Sequence, residues 1–235
     1  MSKETIEQFE KDRYLLVKNF ISPELAKIMT TYTLHQAKHN HSPEGANGQI
    51  PHTHSVHGDY LMESVFEHTW PKMEELTGVE LWPTYTFYRV YKQGDILKHH
   101  TDRPACEISA TLCLDYLTDD NTPWPIWVRN DKNYAGVDPE IVKAESQDIP
   151  QRLRKDNHCY SVSLEPGDIL LYQGPNIPHW RDYLLGQYSY HLFVHFFNAD
   201  SKMNEMDGFV YGTQHDVNIG QNNKNVKYAL DLDGR

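Results

Sequence analysis

Glu107-Ile108-Ser109-Ala110-Thr111-Leu112-Cys113-Leu114-Asp115-Tyr116 alternates without a slip. On an extended chain Ile108, Ala110, Leu112, Leu114 and Tyr116 fall on one side, and Glu107, Ser109, Thr111, Cys113 and Asp115 on the other. One side is wholly apolar, the other polar. In an ordinary sandwich the apolar side points inward. In a barrel with a polar site inside and helices packed outside, the apolar side meets the helices. Two helical stretches precede this strand and can supply that cover.

Downstream of Pro83, short β-branched and aromatic runs alternate with turns, which predicts a sandwich or barrel. Strands are expected over residues 84–91, 96–100, 107–116, 126–128, 159–164, 168–172, 179–183 and 189–198, with Glu165-Pro166-Gly167-Asp168 as a turn. Upstream, residues 14–20 read as a short strand. Ser22-Pro23-Glu24 opens a helix, since Ser caps, Pro suits the first helical position and an acid suits the dipole. Residues 39–59 read as a polar loop. Residues 59–77 form a second helix, which Pro71 is expected to break or restart. Residues 130–157 read as a polar insertion. The expectation is a single domain over 1–235: helical support over 1–80, a β core over 83–198 and a polar tail over 200–235.

The 235 residues include 39% hydrophobic and 12% aromatic side chains, a globular composition for one domain. A net charge of -11 argues against a general nucleic-acid binder or an anionic-membrane binder. The first residues are charged and polar rather than a signal pattern. No apolar run approaches the ~20 residues of a membrane span. Three scattered cysteines fit neither a disulfide framework nor a thiolate zinc site. A reduced, cytoplasmic setting is the expectation.

The chemistry points to His100-Thr101-Asp102 and the distant His179. His100 and Asp102, two apart on an extended segment, project the same way, while His99 projects oppositely. Two imidazoles and one carboxylate cap one face of an Fe(II) ion and leave the opposite positions open. A lone His-x-Asp is weak among 14 histidines. It gains from its context: it sits beside a β run and is followed by a Pro-Gly-Asp turn and a histidine that opens a late strand.

With those residues in view, the chain resembles the Fe(II)/2-oxoglutarate-dependent dioxygenases, most closely the prolyl-4-hydroxylase-like branch. Tyr91-Lys92-Gln93-Gly94, Leu97 and His100-Thr101-Asp102 are similar to that branch's approach to its iron motif. Residues 165–172 (EPGDILLY) are similar to the strand before its distal histidine. The resemblance implies a double-stranded β-helix, or jelly roll, packed against α-helices. It implies iron on His100, Asp102 and His179, with 2-oxoglutarate as co-substrate and O2 as oxidant. A substrate is hydroxylated, with release of succinate and CO2. Asp102 favours hydroxylation, because halogenating relatives carry a small residue there.

One departure stands out. The family places an Arg or Lys about ten residues beyond the distal histidine, as suits a carboxylate clamp. Gln187, Tyr188, Ser189 and Tyr190 occupy that stretch here, and His191 is the nearest candidate cation. Arg181 shares a strand face with His179 and is the first candidate. Arg89 shares a face with Tyr91 and is the second; Arg103 remains a third. Tyr91 and Thr111 are expected in the 2-oxoglutarate pocket. Arg103, Glu107, Trp180 and Asp59 are candidate substrate contacts, with Arg103 and Glu107 either an ion pair at the mouth or a site for a zwitterion. His52, His54 and His57 read as a surface loop, with a second metal or a lid as the functional alternative. His195 reads as a packed strand histidine. The substrate, an amino acid, a peptidyl side chain or a small metabolite, is not legible, nor is the oligomeric state. Two other readings stand beside this one: a cupin-like metalloenzyme that does not use 2-oxoglutarate, and a non-catalytic jelly-roll binding module.

Overall fold

The computed structural model describes residues 3–39, 50, 53–132 and 157–200. The expected insertion (130–157) and tail (200–235) lie almost wholly outside these residues, as do His41 and His52. Three helices, α1 (Lys3–Asp12), α2 (Pro23–His39) and α3 (Tyr60–Thr77), pack on one face of two facing sheets. The strands are β1 (Tyr14–Val17), β2 (His54–His57), β3 (Leu81–Lys92), β4 (Leu97–His100), β5 (Ile108–Thr118), β6 (Ile126–Arg129), β7 (Cys159–Val162), β8 (Ile169–Tyr172), β9 (His179–Arg181) and β10 (Gly186–Asn198). The larger sheet runs β1-β8-β5-β10-β3-β2 and the smaller β4-β9-β6-β7; every pairing is antiparallel. From β3 onward, successive strands alternate between the sheets except for β6 and β7, which pair with each other in the smaller one, and the result is a jelly roll.

Of the two orientations open to β5, the structure shows the one with its apolar face toward the helices. Ile108, Ala110, Leu112 and Leu114 point out of the barrel into a core with Met29, Met62, Phe66, Met73 and Leu76 of the helices. Leu171 of β8 and Leu192, Val194 and Phe196 of β10 join them. Ser109, Thr111 and Cys113 are left to face the interior. Burial of this outward apolar face is the main force holding helices to sheet.

Two expectations are corrected. Pro71 does not interrupt α3, which runs unbroken from its Asp59 cap to Gly78. Pro71 and Glu67 are both exposed, so water can serve the Glu67 carbonyl left without an amide partner. The polar loop over 39–59 contains a strand: β2 adds to the edge of β3, pairing His54 with Val90 and His57 with Phe87. Period two splits its histidines. His54 turns to the helix side, its Nε2 3.0 Å from the Tyr88 hydroxyl, while His57 turns inward and stacks on Phe87.

Candidate metal centre and its cavity

His100 ends β4 and His179 opens β9, and the two are direct cross-strand partners. Their rings lie 4.2 Å apart. Asp102 leaves β4 by two residues and is tied down by its own N–H, which donates to the Gly174 carbonyl at 3.0 Å. The Asp102 Oδ1 atom is 3.7 Å from His100 Nε2 and 3.6 Å from His179 Nε2. One ligand atom from each of the three residues falls within 4.8 Å of the others.

The hydrogen bonds around this triad decide which atoms are available. His100 Nδ1 donates to the Lys98 carbonyl at 2.8 Å and His179 Nδ1 to the Ile177 carbonyl at 2.9 Å. Each ring therefore presents an unprotonated Nε2 to the centre, as a metal-ligating histidine does. Ser109 donates its hydroxyl to Asp102 Oδ2 at 2.6 Å, which leaves Oδ1 facing the histidines. Burial opposes the Asp102 charge, yet His179, His195, His100 and Ser109 hold its carboxyl below its ordinary value. Burial, reinforced by His100, pushes His179 down to about 3, so it is a neutral ligand at physiological pH. Two neutral imidazoles and one carboxylate with aligned lone pairs fit a divalent first-row metal such as Fe(II).

The triad lines a cavity of about 360 Å³, within the range of small-molecule sites. Arg89 lies in its wall, 1% exposed, with Nε and Nη2 lacking any hydrogen-bond partner. Its guanidinium sits 5.4 Å from the Phe87 ring and 5.5 Å from the Tyr91 ring. Tyr91 also lines the cavity, and its buried hydroxyl is unpartnered. Arg181 is fully buried but is not in the wall. Its Nη1 donates to the Trp124 carbonyl at 2.5 Å and its Nη2 lies 3.4 Å from His191 Nδ1. Among the described residues neither arginine has a carboxylate within ion-pair distance.

The remaining expected residues fall in different places. His191 lies directly across from Arg89, but burial and Arg181 hold it well below its ordinary value. It is a neutral hydrogen-bonding group rather than the cation expected of it. Thr111 is buried behind the cavity, its hydroxyl 3.4 Å from His191 Nδ1. Arg103 lines the cavity, its guanidinium 4.8 Å over the Tyr85 ring. Glu107 accepts the Asn198 N–H at 3.1 Å. Asp59 caps α3, accepting from Leu61 and Met62 N–H and from the Tyr32 hydroxyl, and is absent from the cavity wall. Trp180 points away from the metal site, stacked on Trp127 at 5.9 Å.

Three contributors escaped the sequence reading. Ser109 links Asp102 to His195, whose Nδ1 is 2.9 Å from the same hydroxyl. His195 was legible in principle, because it shares strand parity with His191, which faces inward. His57 carried no such signal, since a strand with one apolar residue in four looks like a loop. Burial pushes the thiols of Cys106 and Cys113 up to about 12, so neither is a nucleophile at neutral pH.

No protein-family model and no curated protein matches the chain by sequence. Solved structures match by shape. A prolyl-4-hydroxylase from Pseudomonas putida is 11% identical with a TM-score of 0.58, the alignment covering 83% of this chain and 97% of that one. The epimerase SnoN from nogalamycin biosynthesis, in complex with Fe3+, alpha ketoglutarate and nogalamycin RO, is 13% identical with a TM-score of 0.64, covering 84% and 83%. HygX from Streptomyces hygroscopicus, with nickel, 2-oxoglutarate and hygromycin B bound, is 10% identical with a TM-score of 0.63, covering 85% and 88%. No helix of the described residues is long and apolar enough to cross a membrane. The two-sheet jelly-roll topology and these matches agree: the chain has the fold of the non-heme 2-oxoglutarate-dependent enzymes.

Proposed function

We propose that this protein is an Fe(II)- and 2-oxoglutarate-dependent dioxygenase that hydroxylates a small organic substrate. The observation that carries the reading is one cavity with two complementary features. One is a His100–Asp102–His179 face with three aligned lone pairs; the other is a buried arginine with unspent donors. His100, Asp102 and His179 hold the iron. Arg89 and the Tyr91 hydroxyl bind the distal carboxylate of 2-oxoglutarate.

The register supports that division. Ser109, which touches Asp102, pairs with His195, and Arg89 pairs with His191, four residues along β10. That is a strand rise of about 13 Å, which the reach of an arginine folded back over Phe87 shortens. Arg181 was the first candidate from sequence, but it donates to the Trp124 carbonyl and its Nη2 faces His191. We assign it to holding β9 in place beneath the pocket. Arg89 takes over the clamp from the strand next to β10, where the family's basic residue would stand.

Bound here, iron and 2-oxoglutarate supply an oxidative decarboxylation with O2 that releases succinate and CO2 and delivers one oxygen atom to the substrate. The protein's own part is positional. Ser109 holds Asp102 so that one oxygen faces the metal, and the Lys98 and Ile177 carbonyls fix the imidazole tautomers. The apolar walls from Leu97, Phe87 and Phe193 exclude water from the reacting centre.

The test is anaerobic titration of Fe(II)-loaded protein with 2-oxoglutarate, read by the visible charge-transfer band of the chelate. A band in wild type that is lost in Asp102→Ala and weakened in Arg89→Gln is expected. Iron bound without a band would remove 2-oxoglutarate and favour a metalloenzyme of another class on this fold.

A further inference from the structure

The register of the larger sheet lays a row of rings along one wall of the cavity. His57 on β2 and Phe193 on β10 are both direct cross-strand partners of Phe87 on β3. The three rings stand nearly parallel: His57 lies 5.0 Å from Phe87 at 22°, and Phe193 lies 4.5 Å from it at 16°. Two residues along, Tyr85 and His195 are cross-strand partners as well, their rings 4.6 Å apart. His195 is itself at 16° to Phe87. All five residues line the cavity. Arg103 covers Tyr85 and is hydrogen-bonded to Tyr85 and Cys106, so it belongs to the framework of the wall.

His195 is the member of this row whose tautomer the structure fixes. Ser109 Oγ has three polar neighbours: Asp102 Oδ2 at 2.6 Å, the Cys106 carbonyl at 3.1 Å and His195 Nδ1 at 2.9 Å. The first two only accept, and Ser109 has one hydroxyl proton. The charged carboxylate, at the shortest distance, claims it. Nδ1 therefore carries a proton and donates to Ser109. Burial pushes His195 down to about 4, so the ring is neutral and has a single proton to place. Nε2 is left with a lone pair. That atom is buried and has no hydrogen-bond partner among the described residues. A ligand that fills the space beside it either supplies a donor or leaves the acceptor unserved, at a cost in affinity. Through Ser109 the ring is also fixed relative to Asp102, so a donor bound at Nε2 is registered against the metal.

We infer that the substrate is a planar ring compound carrying a hydroxyl or N–H group, its ring packed with those of His57, Phe87 and Phe193 and its donor on His195 Nε2. The inference rests on the reading of this cavity as an iron and 2-oxoglutarate site, which assigns His100, Asp102, His179, Arg89 and Tyr91 elsewhere. At about 360 Å³, shared with 2-oxoglutarate, the cavity suits a small molecule. A saturated ring would forfeit the flat contact, since stacked rings gain beyond the area they bury.

The experiment uses the full chain loaded with Zn(II), with and without 2-oxoglutarate, and reads binding of probe molecules by calorimetry. The probes are 4-methylphenol, 4-methylanisole, in which a methyl group caps the hydroxyl, and 4-methylcyclohexanol, in which the ring is saturated. Indole and 1-methylindole repeat the comparison for an N–H donor, and the pair with the larger difference identifies the donor. In that pair the uncapped probe is expected to bind about tenfold more tightly, the scale of one hydrogen bond to an otherwise unserved group. 4-Methylphenol should also bind severalfold more tightly than 4-methylcyclohexanol. His195→Phe, which keeps a ring and removes the acceptor, should erase the donor preference and leave the preference for a flat ring. Nitrogen-15 NMR of the wild-type protein needs no variant. Nδ1 should be protonated and Nε2 bare without ligand, and the Nε2 signal should move with the uncapped probe and not with the capped one. A proton on Nε2 would overturn the inference. So would equal affinities within both pairs, a saturated ring that binds as well as the flat one, a donor preference that survives His195→Phe, or no binding of any probe at millimolar concentration. The affinity for 2-oxoglutarate is measured separately in the same proteins. Absence of 2-oxoglutarate binding with the donor preference intact would sink the co-substrate and spare the substrate class; the converse result would do the reverse.

Discussion

Gly174→Ala should cost the protein its metal while leaving the fold standing. A Cβ built on Gly174 would lie 2.7 Å from Asp102 Oδ2, 2.7 Å from Ser109 Oγ and closer still to the Cys106 carbonyl. The carbonyl is backbone and yields little, so the side chains must move. Gly174 also accepts the Asp102 N–H through its own carbonyl, so a retreat of residue 174 drags Asp102 with it. Either way the Ser109–Asp102 bond is broken or bent. A hydrogen bond to a charged group is worth about 1.5–3 kcal/mol, and a change of that size corresponds to roughly 10- to 100-fold in affinity, the usual effect of losing a residue that orients a metal ligand. Gly94→Ala is the control. Gly94 has φ +82° with nothing within 4 Å of its Cβ position, so the change strains the backbone by on the order of 1 kcal/mol without touching the site. Co(II) affinity, measured by competition with a chromophoric chelator, and thermal stability of the metal-free proteins give the comparison. Wild-type Co(II) affinity in Gly174→Ala would refute the reasoning. Equal losses in both variants would refute it too, since the effect would then be general destabilisation.

Three further outcomes follow from the same structure. Arg89→Gln should weaken 2-oxoglutarate binding by about 30- to 100-fold, the scale of a lost charge-assisted contact, with Co(II) affinity unchanged; calorimetry on the metal-loaded protein reads both. Burial holds His179 at about 3, His195 at about 4 and His191 well below 6.5, so the unfolded chain takes up protons that the fold refuses. Stability of the metal-free protein should therefore fall as pH drops below 6.5, by roughly 1 kcal/mol per histidine at pH 5.5, and flatten above pH 7.5, as urea unfolding at stepped pH would show. Leu112→Ala opens a void where β5 meets the helices, where Leu112 is 2% exposed; a loss of about 2–4 kcal/mol in urea unfolding is expected, with Co(II) affinity retained because its side chain points out of the barrel.

The sequence was most informative where one physical rule acts alone. Strict alternation in β5 separated an apolar face from a polar one, because a one-residue slip would expose the whole apolar row. It put Ser109 on the polar face, while the packing of the helices decides that this face lines the interior. The grouping of His100 and Asp102 at the candidate metal centre was legible for a similar reason: the two are local, and parity on an extended chain fixes their common direction. What the sequence hid depends on tertiary burial. His191 and Arg181 look like cations in a list of residues, but packing neutralises the one and gives the other a backbone carbonyl. Arg89, which shares a face with Tyr91, stands second to Arg181 by sequence, and its unspent Nε and Nη2 in the cavity wall reverse that order. Asp59 looks like a free carboxylate, yet three donors already use it. The same logic explains why His195 reads as core yet lines the cavity. An inward strand position is core where its neighbours are apolar, but beside Ser109 and Asp102 it becomes the last member of a polar chain that begins at the metal. Local patterning therefore gives the position of a side chain, while its charge state and free valence come from neighbours distant in sequence. For this protein, the choice among candidate clamps rests on counting donors already in use rather than on the distance from His179 along the chain.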